Sequence, residues 1–240
     1  MRTAFVESLF ELAEQDSRIV LLVGDLGFGV VTPFMERLPR QFVNAGVAEQ
    51  NMTGMAAGMA LSGKIVFTYS IANFPVLRCL EQVRNDVCYH CANVRITAVG
   101  GGMAYGSLGP SHHATEDIAV MRTLPNMLVV APGDPVETRL AVRALVGYNG
   151  PAYLRLGRDK EPIVHKQVPA FILGKAITVR DGRDITLIST GSMLHNAVTA
   201  AAILAEQGLQ VRVLSMHTIK PLDKENLILT DSVVLVSNTN

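Results

Sequence analysis

Two short segments concentrate the residues that could do chemistry. The first is Asn44-Ala-Gly-Val-Ala-Glu49-Gln-Asn, where one carboxylate opens a run of Met, Ala and Gly. At a helix N-terminus the helix dipole lowers a carboxyl pKa, whereas burial raises it. A Glu49 facing an apolar cavity is thus placed to stay protonated or to share a proton with a ligand nitrogen. An acid that only complements the dipole would look the same in sequence. The second segment runs from Gly100 to His113, with five glycines in the ten residues 100–109. Such a backbone can approach a ligand closely or form a flexible loop. It holds no GxGxxG opening a helix and no GxxxxGK[ST], so dinucleotide and P-loop readings fail. His112 and His113 close the segment. Adjacent loop histidines do not point the same way, so this pair alone makes no metal site; one of them is a candidate hydrogen-bond partner or acid/base.

Other candidates are weaker. Cys88-Tyr-His-Cys91 is a C-x-x-C, but a zinc site needs a second ligand pair and a redox site needs the motif at a helix start. It ends an expected helix and reads as structural. Arg155 and Arg158 flank the end of a strand, as anion contacts or as surface charge. Gly54 and Gly58, interleaved with Met52, Met55 and Met59, permit close packing against the core or against another subunit.

Composition narrows the classes. The 240 residues carry 21 basic and 21 acidic side chains, so the net charge is zero and nothing favours nucleic acid. Aromatics at 5%, with no Trp, leave no stacking platform for single strands. Hydrophobic residues at 49% suffice for a sizeable core. Three cysteines point to reduced thiols and a cytoplasmic address. No apolar run reaches the roughly 20 residues of a membrane span, and Glu7 interrupts the N-terminal stretch, arguing against a signal peptide.

The elements that must position these residues alternate. Helical spacing marks 3–16, 49–61, 75–90, 114–124 and 135–148, and short apolar runs mark strands at 19–24, 42–46, 65–69, 94–100, 127–132 and 152–156. This predicts an α/β fold with a mainly parallel sheet, whose sites lie beyond the carboxyl ends of the strands. Glu49, Gly100 and His112 all fall in such loops. The expected division is a first domain over 1–163, a polar linker over 164–172 and a smaller, apparently incomplete α/β unit over 173–240. That unit has strands at 185–190, 211–216 and 233–238 and a helix at 195–208.

The conjunction is more specific than any part. GVAEQNMTGMAAGMALSG, FTYSIANF, GSLGPSHHATEDIAVMRTLPNMLVVAPGDPVETRLAV and GPAYLRLGR occur in an order that resembles the pyrimidine-binding half of thiamine-diphosphate enzymes of the transketolase family, over roughly residues 1–160. The second unit, with ITLISTGSM and VRVLSMHTIKPLD, resembles that family's C-terminal domain, which normally continues past Asn240. The nearest likeness is to the C-terminal subunit of split, two-chain transketolases. The β subunit of the decarboxylating component of a 2-oxoacid dehydrogenase shares GVAEQ and the aromatic of Asn73-Phe74-Pro75. A deoxyxylulose-phosphate synthase-like enzyme is a closer relative but is normally one chain. A non-catalytic paralogue that regulates a partner is the remaining alternative.

The resemblance implies roles. Glu49 matches the glutamate that hydrogen-bonds N1′ of the aminopyrimidine of thiamine diphosphate. Phe74 matches the aromatic stacked on that ring, and Ile71 stands where a second aromatic is usual. His112, in Gly109-Pro110-Ser111-His112, matches the histidine facing the donor sugar, and Arg158 an arginine for the sugar phosphate. Gly100 and Leu108 replace a His and an Asp that contact the sugar, and Gly29 replaces a phosphate-contact Ser, so a donor other than the usual pentose phosphates is expected. No Gly-Asp-Gly metal motif occurs. The diphosphate and its Mg2+ or Ca2+ are therefore expected on a separate partner chain, in an α2β2 assembly, with no metal held by this chain.

Overall fold

The structure, a computed structural model, describes residues 1–228 and 233–236. Helix α1 (Arg2–Ala13) precedes strand β1 (Ile19–Val23), whose five residues are all buried. Helix α2 (Thr32–Arg37), strand β2 (Phe42–Asn44), helix α3 (Glu49–Leu61) and strand β3 (Ile65–Ile71) follow. Helix α4 (Leu80–Gln82) runs into a π-helical turn, Val83–Cys88, before β4 (Val94–Val99). Helix α5 (Asp117–Thr123), β5 (Leu128–Val130), α6 (Pro135–Gly147) and β6 (Ala152–Leu156) complete the first alternation. Asp134 caps α6, accepting from the Glu137 amide at 2.8 Å, with Pro135 in the first turn as expected.

The second unit contains β7 (Ile177–Arg180), β8 (Ile185–Ser189), α7 (Leu194–Glu206), β9 (Val211–Ser215), β10 (Thr218–Lys220), α8 (Lys224–Ile228) and β11 (Val233–Val236). The larger sheet has the order β10-β5-β6-β4-β3-β1-β2, parallel except where β10 joins β5. The smaller has the order β11-β8-β9-β7, with β7 antiparallel. The α/β, mainly parallel architecture read from the alternation is the one observed.

Both faces of the larger sheet are covered, which explains the continuous apolar strands. On one face Val20, Leu22 and Val66 pack under Met52 and Ala56 of α3. On the other, Leu21 and Phe67 pack under Phe5 and Leu9 of α1 and Val142 of α6. Each of these side chains larger than Ala contributes about 1.5–3 kcal/mol by leaving water. Gly54 and Gly58 take no part: a Cβ at either would meet nothing within 4 Å. Met52, Met55 and Met59 pack on the core, whereas the two glycines have open space where a Cβ would stand.

Three details depart from the sequence reading. Residues 75–90 are not one helix: 72–79 form turns, and regular helix begins only at Leu80. Pro75 sits in these turns, where its missing N–H breaks no helical ladder. Strand β7 was not foreseen in the four residues Ile177-Thr-Val-Arg. Strand β10 was not foreseen either, because its three residues pair with β5, distant in sequence. Residues 237 and 238, read as strand, lie outside the described residues.

Candidate functional site

The site assembles where β1, β3 and β4 end. Gly24 donates its amide to the Tyr69 carbonyl, Ala72 to Val99, and Gly100 to Leu156, so each loop leaves the sheet from a fixed point. The Gly-rich segment is equally pinned. Gly102 and Ala114 exchange both backbone hydrogen bonds, at 2.8 and 2.9 Å, and close residues 102–114 into a loop with joined ends. The two ends of the Gly-rich loop are thus fixed to each other.

Glu49 begins α3 and is 1% exposed. Its Oε2 accepts from Arg78 Nη1 at 2.8 Å, across an open cleft lined also by Val47, Ala48, Gln50 and Asn51. A Cβ at Gly24 would lie 3.6 Å from both Glu49 Oε1 and Ser70 Oγ, so these oxygens flank one point at the end of β1. Ser70 Oγ is buried without a hydrogen-bond partner among the described residues, as is Asn73 Oδ1.

From Glu49 a row of contacts continues. The Arg78 guanidinium lies 4.9 Å from the Phe74 ring centroid. Phe74 meets His112 edge-on at 5.2 Å. His112 lies 5.9 Å from Tyr105, and Arg158 stands 5.0 Å over the Tyr105 ring. Cation–π contacts of this kind are worth about 0.5–1 kcal/mol at exposed positions. The row thus runs from a buried carboxylate through aromatic faces to an exposed cation. Ser111 Oγ lies 3.0 Å from His112 Nδ1, and Asn73 Nδ2 donates to the Ser111 carbonyl at 2.8 Å, tying the two loops together. His113 turns away and contacts the Gly106 carbonyl at 2.9 Å, so the two histidines diverge as expected.

The structure therefore brings Glu49, Phe74, His112 and Arg158 into one row, with Ile71 at the end of β3 and Gly100 at the end of β4. Leu108 is exposed on the loop crest, and a Cβ at Gly29 would meet nothing within 4 Å. Arg155, read as an anion contact or surface charge, is neither: it is buried and its Nε donates to Asp117 Oδ2 at 2.7 Å. Sequence reasoning missed Arg78, although it stands four residues after Phe74. It also missed Tyr105, the one aromatic inside the Gly-rich segment. Among the described residues no group of three or more His, Cys, Asp or Glu could hold a metal ion, and no helix is long and apolar enough to cross a membrane.

Comparison with known proteins gives this geometry its family. The sequence profile of the transketolase pyrimidine-binding domain matches residues 1–162, and that of the transketolase C-terminal domain matches residues 174–240. The chain belongs to the transketolase family. It is 46% identical to one subunit of the apulose-4-phosphate transketolase of Phocaeicola vulgatus, over 93% of this chain and 72% of that protein. It is 37% identical to the 6-deoxy-6-sulfo-D-fructose transketolase subunit SqwH of Clostridium sp., over 100% of this chain and 76% of that protein. A solved structure described as a split gene transketolase, an inactive β4 tetramer, superimposes with a TM-score of 0.90 at 38% identity, covering 98% of this chain and 78% of that one. This transketolase chain is thus a subunit of an enzyme of ketol transfer, the split-subunit reading of the sequence. The 2-oxoacid dehydrogenase alternative is not favoured. Thiamine diphosphate is the cofactor typical of the transketolase family.

Proposed function

We propose that this chain supplies the pyrimidine half of a thiamine-diphosphate site completed by a separate diphosphate-binding subunit, and that the pair transfers a two-carbon ketol unit from a ketose to an aldose. The observation that carries this is the unbroken row Glu49, Arg78, Phe74, His112 at the strand ends. The residues present fit the cofactor's aminopyrimidine: a buried carboxylate, an aromatic face, an apolar wall at Ile71 and two buried polar oxygens without partners among the described residues suit a flat ring with polar edges. When bound, thiamine diphosphate supplies the electron sink for breaking the C2–C3 bond of the ketose.

The chain's own residues divide the work. Arg78 holds Glu49 Oε2, which leaves Oε1 to hydrogen-bond ring nitrogen N1′. Phe74 and Ile71 orient the ring and exclude water from its faces. His112, backed by Ser111, is the hydrogen-bond partner or acid/base at the donor's first carbon and hydroxyl. Arg158 meets an anionic sugar terminus with its planar fork. Gly100 and Leu108 offer the sugar no polar side chain, which favours a donor other than the usual pentose phosphates. The names of the two relatives point the same way: apulose 4-phosphate and 6-deoxy-6-sulfofructose are both anionic and both unusual.

The diphosphate and a Mg2+ or Ca2+ ion belong to the partner in this reading, and two copies of each chain form the α2β2 assembly, with the Gly54 and Gly58 stripe of α3 at a contact. The split-gene neighbour's description as an inactive β4 tetramer accords with a chain that needs a partner. The working division remains 1–163, linker 164–172 and 173–240. The free thiols of Cys79, Cys88 and Cys91 suit the reducing cytoplasm.

Calorimetry tests the proposal. Thiamine diphosphate with Mg2+ is titrated into this chain alone, then into its mixture with a diphosphate-binding transketolase subunit from the same organism. Binding in the mixture only is expected. Tight binding to the lone chain would overturn the half-site.

A further inference from the structure

Position 100 ends strand β4 inside the site, and here it has no side chain. Gly100 has φ +80°, and a Cβ there would collide with the ring of Tyr105. The ring has taken the space that a residue-100 side chain would fill. Tyr105 is half-buried, between Gly100, His112 at 5.9 Å and Arg158 at 5.0 Å. Around it Met103, Ala104, Leu108 and Arg158 are exposed, so the loop crest is open. Burial holds the Tyr105 phenol above its ordinary pKa, opposed by Arg158, so the hydroxyl stays neutral at physiological pH. The wall beside His112 is therefore an aromatic ring with a neutral hydroxyl and a cation over it.

We propose that Tyr105 is a specificity-determining residue of the ketol-transfer reaction, whose ring replaces the missing side chain of residue 100 and, with Arg158, selects a sugar carrying an anionic terminus. An aromatic face attracts the C–H edges of a carbon chain and gives a hydroxyl nothing to accept from except the single phenol. Arg158 beside that ring meets the negative end. Neither phosphate nor sulfonate is preferred by geometry alone; both are tetrahedral anions. The inference rests on the transketolase reading above.

The test uses the complex of this chain with its diphosphate-binding subunit, with thiamine diphosphate and Mg2+. Initial rates are measured with a ketose phosphate, its sulfonate analogue and the neutral ketose, for the wild type, Tyr105→Phe and Tyr105→Val. Tyr105→Val is expected to raise KM for the anionic donors by roughly tenfold, the loss of one stacked contact. The neutral ketose, which gives Arg158 no anion to meet, should lose clearly less, and Tyr105→Phe should recover most of the loss. The two anions separate phosphate from sulfonate preference. An equal proportional change for every donor, or none, overturns the proposal while leaving the transketolase reading intact. A wild-type complex that transfers no ketol unit overturns both. A second readout needs no activity: Gly100→Ala should lower Tm more in the wild type than in a Tyr105→Ala background. Equal shifts would show that the two positions do not compete for one space.

Discussion

Two glutamates, Glu49 and Glu137, are both buried and both lie near a helix start, yet their surroundings differ. Glu137 is saturated. Its Oε1 meets His165 Nε2 at 2.8 Å, and its Oε2 accepts the Gly133 amide at 2.6 Å. Burial pushes its pKa up, but the bonds from His165 and the Gly133 amide outweigh that and hold it below the usual carboxylate range. Nearby, Asp134 accepts amides of Val164 and His165, so the cluster clamps the segment after β6 onto α6. Among the described residues Glu49 has one side-chain partner, the half-exposed Arg78, and it opens on a cleft. A structural acid uses its lone pairs within the fold, whereas an acid kept for a ligand leaves one oxygen open.

The sharpest way to break this comparison is to neutralise each acid in turn. Glu49→Gln should lower kcat of the two-chain complex by about 100-fold or more, the range of acid–base catalysis. It should leave the fold intact, because the amide keeps the shape of the acid and the half-exposed Arg78 can return to water. Glu137→Gln should do the reverse. Chemical denaturation should show a loss of about 3 kcal/mol, as for a broken buried pair, with kcat per folded complex unchanged. Equal effects of the two substitutions on kcat would erase the distinction. Next in size, His112→Ala should lower kcat by about 100-fold at most, while thiamine-diphosphate affinity in the mixture stays within about twofold.

The Glu137 cluster also predicts a pH dependence. Burial lowers the pKa of His165, but the bond to Glu137 and the charges of Glu137 and Asp134 outweigh it, and the net shift is upward. That contribution is full below the unfolded value near 6.5 and is lost as pH rises through the folded value. His217, stacked on Phe171 at 3.9 Å, is pushed down to about 4 by burial, against the pull of Glu137. Its contribution is full above 6.5 and is lost as pH falls toward 4. Tm should therefore fall on both sides of a maximum near pH 6.5, and His165→Gln should flatten the alkaline side. An unchanged alkaline slope would remove His165 from the account.

The smallest effect belongs to α3. Gly54→Ala or Gly58→Ala should raise the lone chain's stability by about 0.5–1 kcal/mol, since Ala is the better helix former and has open space around it. The same change should weaken assembly with the partner by about tenfold if the stripe is a tight contact, where overpacking costs about 1–3 kcal/mol. Sedimentation of the mixture measures the second effect. Unchanged association would place the contact elsewhere.

Much of this was legible in sequence because it is local. The alternation of short apolar runs with helical spacing carries the α/β fold, since both faces of a parallel sheet must be apolar. Glu49 could be placed at a helix start and His112 in a loop at a strand end from neighbours within a few residues. The turns over 72–79 were less legible, because LEQVRNDVCY keeps helical spacing while the chain before it bends at Pro75.

What the sequence determined by itself is therefore the fold, the family and the identity of the residues offered at the strand ends. Only the tertiary structure decided how they meet. Arg78 reaches Glu49 from 29 positions away, Arg158 lies 53 positions after Tyr105, and Arg155 disappears into a pair with Asp117. Such contacts depend on which strands lie side by side in the sheet. That order is set by burial of both its faces at once, and no window of neighbouring residues contains it.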